Sequence, residues 1–210
     1  SFRKQTAEQL LKEVRFDAIR GNISEIKTLA SLCGTQEKNS GNMAVSDTMD
    51  VEKITDKSDH CGKITGIDGS GRGVDADNAD TVTEENLAQH ISNAKMLSKK
   101  LQTIVAITGA IDLVTDGSSC YVIRNGNPQM GHVTGAGCQL SGILTAFLAA
   151  NPENKLQAAA AAVCMMGYAG ELAAEKSGQS GSGTYRVSLM DAVSCMDGDI
   201  LERGARYEIR

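Results

Sequence analysis

The chain has 210 residues, a formal charge of -5, 41% hydrophobic and 22% charged residues, which is enough apolar material for one well-buried α/β domain and excludes a disordered chain. Without a Lys/Arg block, and with only 3% aromatics and no Trp, it lacks the basic face and stacking platforms of a nucleic-acid binder. Six cysteines (Cys33, Cys61, Cys120, Cys138, Cys164, Cys195) form no C-x-x-C pair and follow no zinc spacing, so a reducing cytoplasm is expected.

In chain order, Leu10, Leu11 and Val14 predict an amphipathic helix over 4–15, followed by a short strand at 16–19 and a second helix at 23–32. The start is charged and has no secretory core. Periodicity then fades into polar sequence over 33–70, read as an insertion in a single domain spanning 1–210, either a surface excursion or a flap. A helix is expected over 83–100. The continuous apolar run 103–108 predicts a strand buried on both faces, and 112–115 with 119–123, separated by Asp116-Gly117, predict a hairpin at the edge of the sheet. Three helices follow, at 135–150, 154–176 and 184–196. The most apolar stretch, 158–170, is shorter than the ~20 residues that cross a bilayer, so no membrane association is expected. Helices alternating with apolar strands imply an α/β fold with a mostly parallel, helix-covered sheet.

In such sheets ligands bind beyond the carboxyl ends of strands, so the turns after strands are the places to search. "RGNISE" (20–25) follows the first strand. Its spacing is that of a capping box between Asn22 and Glu25, and the same geometry suits magnesium-bound water and phosphate oxygens. Thr108-Gly109 offers a hydroxyl and a bare backbone, although Thr-Gly ends many strands. "GHVTGAGCQLSG" (131–142) has the grammar of a phosphate turn, in which Gly135, Ala136 and Gly137 let backbone N–H groups approach an anion at a helix N-terminus. Cys138 stands there either as a base or as a small packing residue. His132 nearby permits a Cys/His nucleophile, but no third partner can be named.

Taken together, "AIRGNISEIKTLA" (18–30), "GRGVDADN" (71–78), "VAITGAIDLVTDG" (105–117), "GHVTGAGCQLSGILTAFLA" (131–149) and "GSGTYRVSLMDAV" (181–193) resemble the hydroxyethylthiazole kinase family, thiamin-salvage enzymes of the ribokinase-like, three-layer αβα fold. Cysteine at 138 is the discriminating feature, because sugar kinases of this fold place aspartate there. The resemblance implies ATP-dependent phosphorylation of the primary hydroxyl of 4-methyl-5-(2-hydroxyethyl)thiazole, with Mg²⁺, in a homotrimer. It assigns Arg20 and Thr108 to ATP, Gly135 to the alcohol and Ala136 and Gly137 to an anion hole. Cys138 takes the catalytic base position, with Asn22 and Glu25 beside the metal through water or phosphate. The opening Ser1-Phe2-Arg3 resembles the point after the family's Asp-Pro-Val-Gly strand end, so the first strands of the sheet are expected to be absent. Two other readings stay open: a hydroxymethylpyrimidine-type kinase of the same fold, and a non-catalytic fragment.

Overall fold

The computed structural model describes residues 2–33 and 81–210; the stretch read as an insertion, 33–70, lies outside them apart from Cys33. Five strands form one sheet in the order β1 (Ala18–Gly21), β2 (Ile104–Ile107), β3 (Asp112–Thr115), β4 (Cys120–Ile123) and β5 (Tyr207–Ile209). β1 and β2 are parallel and in register, Arg20 opposite Ala106 and Gly21 opposite Ile107. The remaining three pairings are antiparallel.

Side chains alternate across the sheet and sort into two cores. Ile104, Ala106, Val114 and Ile123 face one way, toward α4 (Ala136–Ala150), α5 (Lys155–Ser177) and α6 (Ser182–Ser194). Val105, Ile107, Leu113, Cys120 and Val122 face the other, toward α2 (Ile23–Leu32) and α3 (Leu87–Leu101). Two covered faces make three layers, as expected, and explain why β2 reads as an unbroken apolar run. Leu113 and Val114 are fully buried on opposite faces, each contributing about 1.5–3 kcal/mol.

Two expectations are corrected. Among the described residues the sheet is mixed, not mostly parallel, because short turns join β2 to β3 and β3 to β4, and a short turn can join only antiparallel neighbours. The β3–β4 turn is held by Asp116 Oδ1, which accepts from the Ser118 and Ser119 N–H groups at 2.8 and 2.9 Å. The hairpin is also internal, because β5 pairs with β4, Ile123 opposite Tyr207.

The helices fall within a few residues of their expected bounds. α3 starts late, at Leu87, because the Asn86 side chain caps the preceding turn by accepting from Thr83 N–H at 2.8 Å. α7 (Gly198–Gly204) and a 3₁₀ turn (Pro128–His132) carry no clear apolar period and are additions. α1 (Phe2–Glu13) forms as expected, but Leu10 on it and Val14 just beyond it are exposed. By length and composition α5 could cross a bilayer, unlike the shorter apolar stretch within it, yet 67% of its most apolar window is buried. Its alanines and glycines let it lie close to the sheet and to α6, where Tyr185 Oη donates to Gly170 O at 2.9 Å.

Candidate active site

The parallel strands β1 and β2 end side by side, and Thr108 N–H donates to Gly21 O at 2.9 Å just beyond them. This pairing brings Arg20 to Thr108, with Arg20 Nη2 donating to Thr108 Oγ1 at 3.0 Å. Arg20 Nε is buried with no hydrogen-bond partner among the described residues, so the guanidinium keeps donor capacity for an anion. The next residues begin α2. Asn22 Oδ1 accepts from Glu25 N–H and Glu25 Oε2 accepts from Asn22 N–H, both at 2.8 Å, completing the capping box.

α4 meets this strand end from the other side. Its N-cap is Gly135, with φ +93°, a left-handed conformation that costs a residue with a Cβ about 1–2 kcal/mol. Two residues on, Gly137 packs against Arg20: a Cβ there would stand 2.9 Å from Nη2 and 3.1 Å from Nη1. Ala136 N–H is spent on Val133 O at 3.2 Å, and the first full helical bond runs from Gln139 N–H to Gly135 O at 2.9 Å. The N–H groups of Gly137 and Cys138 therefore remain for an anion, reinforced by the helix dipole.

A cavity of about 570 Å³ opens at this junction, lined among others by Arg20, Asn22, Thr108, Asp112, Ala136 and Gly137. Asp112, at the head of β3, accepts from Gly109 N–H at 2.7 Å. Burial pushes its carboxyl up to about 7, against the lowering effects of that hydrogen bond and of the Arg20 charge. The opposite wall includes Asn125 and Gly126. Asn125 Nδ2 donates to Gly204 O at 2.8 Å and to Glu171 Oε1 at 3.1 Å, while its Oδ1 accepts from Arg206 N–H at 2.7 Å. Glu171 also accepts from Gly126 N–H at 2.7 Å and pairs with Arg206.

The structure brings Arg20, Asn22, Thr108, Ala136 and Gly137 together at one cavity. Gly135, Cys138 and Glu25 are not among the residues lining it; Cys138 is exposed on the first turn of α4. His132 is exposed at the end of the 3₁₀ turn. Sequence reasoning missed Asp112 and Asn125. The signal for Asp112 lay in an acid three residues after Gly109, the spacing from which a side chain can reach back to a backbone N–H, as Glu25 does to Asn22.

A three-layer α/β protein whose parallel strand ends and helix N-terminus converge on one cavity has the architecture of the α/β class that places its ligand site at the carboxyl ends of parallel strands. The sequence pattern of the hydroxyethylthiazole kinase family matches residues 45–199. A hydroxyethylthiazole kinase of Clostridium acetobutylicum is 42% identical over 207 residues, covering 98% of this chain and 63% of the relative. One from Methanobrevibacter smithii is 30% identical, covering 99% and 62%. The solved structure of a hydroxyethylthiazole kinase protein from Pyrococcus horikoshii OT3 superposes with a TM-score of 0.69 at 22% identity, covering 100% of this chain and 60% of that one, and shares its fold. The chain belongs to the hydroxyethylthiazole kinase family. It spans less than two thirds of the length of these relatives.

Proposed function

We propose that the protein transfers the γ-phosphoryl group of ATP to the primary hydroxyl of 4-methyl-5-(2-hydroxyethyl)thiazole. The observation that carries this reading is the convergence of the Arg20–Thr108 pair with the N-terminus of α4 at Gly137. Phosphoryl transfer asks a protein chiefly to position the reactants and to stabilise charge on the transferred group. Arg20 and Thr108 hold the nucleotide phosphates. The N–H groups of Gly137 and Cys138 face the oxygens on which charge builds, and Gly135 borders the alcohol. Cys138 accepts the alcohol proton; in a largely dissociative transition state that proton leaves late, so a modest base suffices.

Among the described residues there is no group of three or more His, Cys, Asp or Glu able to hold a metal. That fits Mg²⁺ arriving with the nucleotide, which takes most of its ligands from water and phosphate. When bound, it neutralises charge on the phosphate oxygens. Glu25 and Asn22, at the start of α2, are the residues that would meet its water shell.

We also propose a homotrimer. Val187 and Met190 on α6 and Tyr207 and Ile209 on β5 are exposed apolar side chains suited to subunit contact. Incubating the protein with Mg²⁺–ATP and the thiazole alcohol while ADP is followed tests the activity, and light scattering after size exclusion tests the assembly. Thiazole-dependent ADP release is expected; its absence would end the kinase reading.

A further inference from the structure

The turn after β2 is anchored by two consecutive backbone amides. Thr108 N–H reaches Gly21 O of β1, whereas Gly109 N–H reaches Asp112 Oδ1 at the head of β3. The Thr108 hydroxyl that receives Arg20 is thus fixed from both neighbouring strands. Asp112 lies on the same face of the sheet as Val114, toward α5, and lines the cavity with Arg20 and Thr108. The groups that act on it are the Gly109 N–H and the Arg20 guanidinium; the Cys164 thiol of α5, itself pushed up to about 12 chiefly by burial, is neutral.

We propose that Asp112 is a positioning residue for the nucleotide, acting as the acceptor that locks the Thr108–Gly109 turn and keeps the Arg20–Thr108 pair aimed at phosphate. The proposal rests on the kinase reading above. Its operative atom is the Oδ1 acceptor, so a residue of the same shape that still accepts a hydrogen bond keeps the turn in place. One without an acceptor leaves Gly109 N–H unpaired in a part-buried turn, and a lost bond of this kind costs about tenfold in an equilibrium constant.

The test measures Mg²⁺–ATP affinity by titration calorimetry, with thermal melting alongside, for the unmutated protein, Asp112→Asn and Asp112→Leu. Asp112→Asn should bind ATP within about threefold of the unmutated protein, and Asp112→Leu, branched in the same way but larger and without an acceptor, roughly tenfold or more weakly while still melting cooperatively. If Asp112→Leu does not fold, Asp112→Ala replaces it. Failure of both to fold while Asp112→Asn folds would make Asp112 a fold element and overturn the proposal. Equal affinity in all variants, or a loss in Asp112→Asn as large as in Asp112→Leu, would also overturn it. No ATP binding by the unmutated protein would remove the kinase reading and this proposal together.

Discussion

Gly137 and Arg20 are in contact across the site, so that any side chain at 137 would meet the guanidinium before it met a ligand. This changes what the glycine is for. On the proposed reading it leaves room for a phosphate; in the structure it leaves room for the Arg20 guanidinium. Gly137→Ala should therefore displace Arg20 and break its bond to Thr108. We expect ATP KM to rise about tenfold with little change in Tm, measured by ADP release and thermal melting. An unchanged KM would mean that Arg20 accommodates the methyl by moving away without consequence.

Cys138 is exposed on the first turn of α4, so replacing it should change stability by less than about 0.5 kcal/mol. Any effect on turnover is then readable as chemistry. Cys138→Asp should keep or raise kcat, since a carboxylate is a competent base, and Cys138→Ala should lower it. The opposite ranking in the ADP assay would remove the base role.

The sign of the Asp112 contribution to stability follows from its raised value. Between its ordinary 3.8 and about 7, the folded chain holds a proton that the unfolded chain has released. Stability from this group is therefore fully present at the acid end and lost as pH rises to about 7, at no more than about 1.4 kcal/mol per pH unit. Urea unfolding at pH 5 and pH 7.5 should show the unmutated protein losing stability relative to the non-titrating Asp112→Asn at the higher pH. A constant difference between the two would show that Asp112 is not protonated in the folded state.

Asn22→Ala removes the N-cap acceptor of α2 and should cost about 1 kcal/mol in chemical denaturation. If Asn22 also meets the metal's water shell, the same variant loses Mg²⁺-dependent ATP affinity by more than this loss of stability explains. Calorimetry at several Mg²⁺ concentrations separates the two roles.

Gly167 on α5 lies against the backbone of Asn125, where a Cβ would stand 2.8 Å from the carbonyl carbon and oxygen. Backbone cannot swing aside as a side chain can. Gly167→Ala should destabilise the protein by about 1–3 kcal/mol and push the 125–127 loop into the cavity, visible as a lower Tm together with weaker ATP binding.

Much of this was legible in the sequence because it is local. The capping box is a spacing of three, the start of α4 is a run of small residues before an apolar stretch, and β2 is an uninterrupted apolar run. What escaped depends on distant partners. β5 is three residues, Tyr207-Glu208-Ile209, with two exposed and no apolar run, and only its pairing with β4 makes it a strand. That pairing moves the hairpin from the edge to the interior of the sheet. The mixed sheet likewise follows from two short turns, each ordinary by itself. Asp112 reads as a polar strand start; its spacing of three from Gly109 is local, but the cavity wall around it is built by residues far along the chain.

The clasp at Asn125 joins residues 81 positions apart, since its Oδ1 accepts from Arg206 N–H. One wall of the cavity therefore waits for the four helices in between to form and dock before it acquires its shape. Such non-local closure is slow. On refolding, helical signal should recover first and the Asn125–Arg206 clasp later, so that the newly collapsed chain passes through an interval in which it is nearly native in outline while this wall of the cavity is still unformed.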